Sequence, residues 1–360
     1  MNPSKENLYK RQVILPEIGI NGQQKLSEAK IAIIGCGGLG STAAVYLAAS
    51  GVGHIHLVDF DSIDVTNLHR QVFYSLDDVG KSKAKILADH ILKISPFVAV
   101  TYSCDSITKS TVHKELNDSS IIIDCTDSLA TKYLLNDFCV ISDKVLVYGS
   151  LYKHDGYVAT FNFNDGGKQT ANLRDAFPAI PQKHIPNCAE IGTLNTIVGL
   201  IAIMQANEVI KIITNTGSPL TNQILIYNSM ENSQFIMKIK AGFSTKRIQE
   251  IYKKEEYFDA HCEVQENDLL INADELKKRK TDENLQILSV IENIETELPF
   301  EVNLKIPASK FDLTRINLSL KKDIVIVCLK GISSYRVTKI IKTQFPQARV
   351  YSLKNGIENY

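Results

Sequence analysis

The chain has 360 residues, of which 44% are hydrophobic and 22% charged, as in ordinary soluble globular proteins. Lys and Arg together number 40, as do Asp and Glu, so net charge indicates neither nucleic acid nor an acidic membrane surface as a partner. The seven cysteines form no Cys-x-x-Cys pair, which argues against a disulfide framework and a simple zinc knuckle and predicts a reducing, cytoplasmic setting.

Strands and helices alternate through the first part of the chain. Strands are predicted at 30–35, 54–61, 98–103, 121–127 and 144–150, and helices at 41–49, 81–94, 111–116 and 129–142. Short apolar runs separated by segments of helical periodicity indicate βαβ units. The pattern therefore predicts a Rossmann-like, doubly wound and mostly parallel α/β sheet.

The pattern changes after the fifth strand. An antiparallel strand at 157–163 precedes a long polar loop at 165–190, an apolar helix at 191–214, a hairpin at 223–240 and a charged helix at 244–258. Polar residues interrupt the apolar helix, so we expect it to be buried and not to span a membrane. No apolar stretch follows the first basic residues, as it would in a signal peptide.

A glycine pattern, G-x-G-x-x-G, lies at the first strand-to-helix turn. It is formed by Gly35, Gly37 and Gly40, and Asp59 ends the next strand. Such a turn lets phosphates approach a helix N-terminus while the carboxylate binds a ribose hydroxyl. Taken alone, the pattern would favour an NAD-dependent dehydrogenase.

Polar and cationic side chains near this turn favour a nucleoside triphosphate instead. They are Arg11, Asp61, Asn67, Arg70, Gln71 and Lys83. A dehydrogenase has little use for several cations there, whereas a triphosphate must have its charge offset before an anionic nucleophile can approach phosphorus. Asp127, at the carboxyl end of the fourth strand, is predicted to hold Mg²⁺. Singly, each residue also has an ordinary alternative: Lys83 as a solvated lysine, Arg70 in a surface ion pair, Asp127 as a helix cap.

Four segments resemble, in order and spacing, a known family. YKRQVILPEIGINGQQKLSEAKIAIIGCGGLGS, VDFDSIDVTNLHRQ, VGKSKA and DCTDS are similar to the HesA/MoeB/ThiF adenylyltransferases, which are related to ubiquitin-activating enzymes. The resemblance implies ATP-dependent adenylylation of the C-terminal glycine carboxylate of a ubiquitin-like sulfur-carrier protein. Pyrophosphate would be released, and the product would serve sulfur transfer in thiamine or molybdenum cofactor biosynthesis. A cysteine desulfurase is a candidate sulfur donor.

The resemblance also implies roles for individual residues. Gly37 and Gly38 would lie near the phosphates, Asp59 on the ribose, Asn67, Arg70 and Lys83 around the triphosphate, and Asp127 on magnesium. Arg11 would reach the site of the partner subunit, which implies a homodimer. Cys188, after the long loop, matches a cysteine that contacts or covalently links to the activated carrier. The loop and the hairpin at 223–240 are candidate surfaces for docking the carrier.

A second α/β unit is expected from about residue 267. Its segments DIVIVCLKGISSYRVTKII and ARVYSLKNGIENY resemble a single rhodanese domain, in which Cys328 would carry a persulfide. Ser333 stands where the family loop has an arginine, and 289–291 reads Ser-Val-Ile for Asp-Val-Arg, so active and degenerate rhodanese both stay open. We expect an adenylyltransferase domain over 1–243, a helical linker over 244–266 and a rhodanese-like domain over 267–360.

The family's usual structural zinc site is expected to be missing. One of its Cys-x-x-Cys pairs falls where this chain reads GGKQTANLRD, and near the other only Cys262 is present, so four thiolate ligands cannot be assembled. Packing of the helix at 244–258 would compensate for the lost stability.

Two other classes of function stay open. The chain could adenylate another acyl or peptide substrate, or a modified tRNA, although its neutral charge argues against tRNA. It could also be a nucleotide-binding scaffold whose inactive rhodanese domain recruits partners. ATP–pyrophosphate exchange separates an enzyme from a scaffold.

Overall fold

The chain folds into two compact units, one that reaches residue 259 and one that extends from residue 260 to 360. The computed structural model describes residues 4–180, 192–255, 257, 267–313, 319–329, 331–357 and 360. Cys188 and Cys262 lie outside these described residues.

The first unit contains nine described helices and ten described strands. The helices are α1 (Lys5–Val13), α2 (Gly19–Glu28), α3 (Gly38–Ala49), α4 (Lys83–Ile94), α5 (Val112–Leu116), α6 (Leu129–Ile141), α7 (Leu173–Ala176), α8 (Asn195–Thr214) and α9 (Thr245–Lys254). The strands are β1 (Lys30–Ile34), β2 (His54–Val58), β3 (Ala99–Ser103), β4 (Ile121–Asp124), β5 (Val145–Tyr152), β6 (Asp155–Phe161), β7 (Asn164–Asp165), β8 (Lys168–Gln169), β9 (Gln223–Asn228) and β10 (Ser233–Lys238).

Eight of these strands form one sheet in the order β10-β9-β6-β5-β4-β1-β2-β3. β1 to β5 pair in parallel, and β6, β9 and β10 extend the sheet by antiparallel pairing. Ile31 and Ile33 of β1 pack among α3, α4 and α8, whereas Ala32 and Ile34 pack among α5 and α6. Helices therefore cover both faces of the sheet, and the predicted Rossmann-like fold with an antiparallel extension is confirmed.

α8 is the longest helix of the described residues, and by length and composition alone it could cross a membrane. Of its most apolar 18-residue window, 44% is buried inside the unit, as in the core helix that the sequence predicts. It packs closely on α3, since a Cβ placed on Gly38 would lie 2.5 Å from Val198. The helix begins at Asn195, later than the predicted residue 191.

The described part of the segment 165–190 is more ordered than predicted. Gly166 and Gly167 have positive φ values of 61° and 94° and turn the chain between β7 and β8. Asn172 then caps α7, because its side-chain oxygen accepts the amide hydrogen of Arg174 at 2.9 Å. Turn and cap signals of this kind are local, and a search for hydrophobic periodicity does not detect them.

The second unit contains a separate parallel sheet in the order β11-β15-β14-β12-β13. Its elements are β11 (Leu270–Ile271), α10 (Ala273–Arg279), β12 (Leu285–Ser289), β13 (Leu304–Lys305), β14 (Asp323–Val327), α11 (Ile332–Gln344) and β15 (Val350–Leu353). The segments DIVIVCLKGISSYRVTKII and ARVYSLKNGIENY, which resemble a rhodanese domain, contain β14, α11 and β15. Buried apolar side chains of β14, β15 and α11 form its core.

Candidate functional site

The turn between β1 and α3 accepts only glycine at two positions. Gly35 has φ +89°, and a Cβ there would lie 2.8 Å from the carbonyl oxygen of Cys125. A Cβ on Gly40 would lie 1.7 Å from the carbonyl oxygen of Gly35. No side chain caps α3, whose N-cap residue is Gly37, so its first amide groups are available to an anion.

Asp59 connects the end of β2 to this turn. Its carboxylate accepts the amide hydrogen of Cys36 at 2.6 Å and that of Asp61 at 2.8 Å. Burial raises the pKa of Asp59 to about 6, although the nearby Lys83 ammonium acts in the opposite direction. The carboxylate is thus held beside the glycine turn, where a ribose hydroxyl would lie in a nucleotide-binding fold.

Lys83 is a buried cation in the first turn of α4. Its side chain is only 6% exposed, and its Nζ lies 2.8 Å from the carboxylate of Asp61, which is 50% exposed. An ordinary surface lysine would be solvated, so this alternative does not describe Lys83. Burying an ammonium group costs free energy unless it is paired, and Asp61 supplies the pairing charge.

Asn67, Arg70 and Gln71 are connected to one another on a short helical turn. Asn67 Oδ1 accepts a hydrogen bond from Gln71 Nε2 at 2.9 Å, and Arg70 donates to the carbonyl oxygen of Thr66 at 3.2 Å. Over the described ranges the Arg70 guanidinium contacts no carboxylate, so the ion-pair alternative does not hold for it. A Cβ on Gly37 would lie 3.3 Å from Gln71 Nε2, which places this turn against the glycine turn.

Asp127 follows β4 and is exposed. The cap of α6 is Ser128, whose hydroxyl accepts the amide hydrogen of Thr131 at 3.1 Å, so Asp127 does not serve as the cap. Within the described part of the chain, no side chain hydrogen-bonds its carboxylate, and no group of three His, Cys, Asp or Glu residues could hold a metal. A single free carboxylate fits Mg²⁺ that takes its other ligands from phosphates and water.

The structure brings together, at the carboxyl edge of the parallel strands, most of the residues that the sequence suggests. They are Gly35, Gly37, Gly38, Gly40, Asp59, Asp61, Asn67, Arg70, Gln71, Lys83 and Asp127. Arg11 is exposed in the last turn of α1, and the described residues of one chain do not connect it to this group.

Cys328 belongs to the second unit and is only 5% exposed. Its Sγ accepts the amide hydrogen of Ser334 at 3.3 Å and lies 3.2 Å from the hydroxyl of that serine. Ser334 Oγ is in turn 2.8 Å from Ser352 Oγ. The thiol therefore lies at the beginning of α11.

A buried ion cluster includes Arg174, which lies in the segment where the family would carry zinc ligands. Residues 166–175 contain no Cys or His and do not fit that metal. Instead, the guanidinium of Arg174 donates to both carboxylate oxygens of Asp137 at 2.6 to 3.0 Å, and the Tyr257 hydroxyl donates to the same carboxylate. Asp175 accepts the amide hydrogens of residues 242 and 243. We call Asp137, Arg174 and Tyr257 the Arg174 cluster.

Sequence reasoning also missed three buried polar residues below the site, Asp124, Lys132 and Gln205. Each lies in an apolar strand or helix, where periodicity gives a polar residue no special meaning. The available signal was a polar or charged residue inside an otherwise apolar segment.

Comparison with known proteins identifies the family. The model of the ThiF family matches residues 9–247. The chain belongs to the ThiF family. It is 37% identical over 250 residues to the probable adenylyltransferase/sulfurtransferase MoeZ of Mycobacterium tuberculosis, an alignment that covers 69% of this chain and 64% of MoeZ. It thus spans less than two thirds of the length of that relative.

Two further relatives cover more of their own length. The adenylyltransferase and sulfurtransferase MOCS3 of Drosophila grimshawi is 32% identical over 373 residues, covering 97% of this chain and 82% of MOCS3. The sulfur carrier protein adenylyltransferase of Thermus thermophilus is 35% identical over 237 residues, covering 65% of this chain and 88% of that protein. The resemblance to the MoeB/ThiF group is therefore confirmed.

Solved structures agree with the fold. The crystal structure of Escherichia coli MccB with MccA-N7isoASN has a TM-score of 0.59 and 27% identity, and covers 67% of this chain and 74% of MccB. The structure of MccB with ATP has a TM-score of 0.58 and 26% identity, with 67% and 73% coverage.

Proposed function

We propose that this ThiF-family chain uses ATP to adenylylate the C-terminal glycine carboxylate of a ubiquitin-like sulfur-carrier protein. The carboxylate attacks the α-phosphorus, pyrophosphate leaves, and an acyl-adenylate remains for sulfur transfer in thiamine or molybdenum cofactor biosynthesis. The observation that carries this proposal is the buried Lys83 ammonium at the edge of an uncapped helix N-terminus. Relatives named as adenylyltransferases, one of them for a sulfur carrier protein, support it.

The residues of the site perform binding and charge compensation. The first amides of α3 bind phosphate, and Asp59 orients the ribose. Asn67, Arg70 and Lys83 surround the triphosphate and offset its charge. The attacking carboxylate has a pKa of about 3.5 and is already ionised at neutral pH, so the reaction needs positioning and cations, and no general base.

Asp127 is proposed to hold Mg²⁺. Its exposure and its lack of a described hydrogen-bond partner leave both carboxylate oxygens available to a cation. When bound, Mg²⁺ would neutralise phosphate charge and stabilise the leaving pyrophosphate. We propose no zinc site, because the segment 166–175 supplies no thiolate or imidazole ligand.

We propose a homodimer in which Arg11 completes the site of the partner. The segment from the end of α1 into α2 supports this, because Ile14, Leu15 and Ile20 are 67%, 52% and 75% exposed in the single chain. Arg11→Ala and Asp127→Ala homodimers should each be inactive, whereas re-associated mixed dimers contain one intact site out of two. An equal mixture should therefore recover about one quarter of wild-type activity, and no recovery would contradict a shared site.

The hairpin of β9 and β10 is proposed as the docking surface for the carrier. Met230, Phe235 and Ile236 are exposed on it, and β10 is the outer strand of the sheet. An apolar surface beside an unpaired strand edge is a common site for protein association. Cys188, which we propose contacts the activated carrier, lies outside the described residues.

We propose that the second unit is rhodanese-like and that the chain divides into domains over 1–243 and 267–360 with a linker between them. The match of MOCS3 to 97% of this chain supports this division. Persulfide formation on Cys328 in the presence of a cysteine desulfurase tests sulfur transfer. Cys36, Cys104, Cys125, Cys139 and Cys328 are all free thiols, in keeping with a reducing cytosol.

The proposed reaction is tested by ATP–pyrophosphate exchange with Mg²⁺ and a panel of carriers that end in Gly-Gly. Exchange should depend on a carrier and should be lost in Asp127→Ala but retained in Asp118→Ala, which changes an exposed aspartate outside the site. Exchange that is stimulated by a peptide and by no carrier would assign another acyl substrate. No exchange despite ATP binding would indicate a scaffold.

A further inference from the structure

A buried ion pair lies at the carboxyl end of β4, next to the turn that carries Asp127. Lys132 Nζ is 3.0 Å from Asp124 Oδ2, and the two side chains are 3% and 0% exposed. The ammonium also donates to the carbonyl oxygen of Gly149 at 2.7 Å and lies 4.8 Å from the ring centre of Tyr148. Removing two charges from water carries a desolvation cost, so a well-packed apolar pair would stabilise the fold equally well.

The other oxygen of Asp124 determines the conformation of the turn. Asp124 Oδ1 accepts both the amide hydrogen and the hydroxyl hydrogen of Thr126, at 3.0 and 2.8 Å. This arrangement fixes the backbone two residues after the aspartate. The next residue is Asp127, so the direction of its backbone depends on the Asp124 carboxylate. Lys132 holds that carboxylate through its remaining oxygen.

Gln205 of α8 holds the same strand end from the opposite face of the sheet. Its Nε2 donates to the carbonyl oxygen of Asp124 at 2.8 Å, and its Oε1 accepts from the Cys125 thiol at 3.7 Å. A Cβ on Gly149 would overlap Gln205, so the packing there is close. Cys125 in turn touches the glycine turn at Gly35. The strand end is thus fixed between a buried ion pair and a buried amide.

We propose that Lys132 is a positioning residue for Asp127. The Lys132–Asp124 pair keeps the 124–127 turn in the conformation in which Asp127 can hold a divalent cation next to the glycine turn. This inference rests on the proposed role of Asp127 in binding Mg²⁺. Lys132 touches neither substrate nor metal, and acts only through Asp124 and Thr126.

The test measures Mn²⁺ binding by electron paramagnetic resonance, on full-length protein saturated with a non-hydrolysable ATP analogue. Lys132→Met should weaken Mn²⁺ binding about 10- to 100-fold, as loss of a residue behind a metal ligand does. Lys132→Arg should restore most of the affinity, since it keeps the charge. Thr126→Val, which removes only the hydroxyl donor, should give a smaller loss and serves if Lys132→Met does not fold.

Controls separate positioning from stability and from the proposed function itself. Tyr257→Phe removes one hydrogen bond from the Arg174 cluster, and should lower the melting temperature while Mn²⁺ affinity stays at the wild-type value. If Lys132→Met and Thr126→Val also keep wild-type Mn²⁺ affinity while Asp127→Ala loses it, the positioning role is refuted and the metal role stands. If Asp127→Ala itself binds Mn²⁺ normally, the metal role fails, and the inference fails with it.

Discussion

Replacing Arg174 by Met should destabilise the first unit strongly. The guanidinium and the Asp137 carboxylate are 2% and 0% exposed, and three short N–H···O contacts join them. Arg174→Met leaves Asp137 buried with hydrogen bonds from Tyr257 and Asn136 but without a cation. Breaking one partner of a buried pair costs about 3–5 kcal/mol in free energy of unfolding.

The expected shift in melting temperature follows from the size of the unit. With an unfolding entropy of about 2.1 cal/mol/K per residue, some 250 residues give about 0.5 kcal/mol/K. A loss of 3–5 kcal/mol therefore lowers the melting temperature by about 6–10 °C. Differential scanning calorimetry of the wild-type protein and the variant measures this shift.

A double variant provides the matched control. Arg174→Met combined with Asp137→Leu removes both charges, and replacing a buried pair by apolar side chains is often nearly neutral. The double variant should therefore be more stable than Arg174→Met alone. The reasoning is refuted if the single variant loses less than about 1 kcal/mol, because the pair would then not behave as buried charges.

Three further predictions concern the protonation of Asp59, the space beside Gly40 and the binding of zinc. Because burial raises the pKa of Asp59 from 3.8 to about 6, the folded state binds that proton more tightly, and the free energy of unfolding should fall by about 2 kcal/mol as pH rises from 4 to 6. Urea unfolding across this range should show a fall that Asp59→Asn lacks. Gly40→Ala should abolish binding of a fluorescent ATP analogue, whereas Gly199→Ala, whose Cβ would meet nothing within 4 Å, should bind normally. A zinc chelator should leave the melting temperature unchanged, and one zinc per purified chain would contradict this.

The sequence predicted what is encoded locally. The apolar run at β1, the glycines after it and the alternation of elements indicated the parallel sheet. The predicted nucleotide-site residues lie in turns after strands or in the first turns of helices, at the edge that this fold determines. The Arg174 cluster was not predictable in this way. Its carboxylate and guanidinium are 37 positions apart, and its hydroxyl is 120 positions from the carboxylate. No local periodicity connects such distant residues.

The buried pair of Asp124 and Lys132 escaped prediction for a different reason. The two residues are only eight positions apart, but they lie in an apolar strand and an apolar helix, where sequence patterns assign burial to hydrophobic side chains. The order within the segment 165–190 was not predicted, because α7 depends on a cap at Asn172 and such a cap is the signal of a single residue.

Tyr257 is the last described residue of the first unit, and its side chain belongs to the core of that unit. Its backbone adopts φ +45°, which is unusual for an aromatic residue, and its buried hydroxyl reaches Asp137 in the middle of α6. During synthesis, 120 further residues must be added after Asp137 before its carboxylate has this hydrogen-bond donor. A stop codon or a protease cut at residue 247, where the ThiF match ends, would remove a side chain of the core. A fragment that ends before Tyr257 would therefore lack one hydrogen bond to Asp137 and one core side chain.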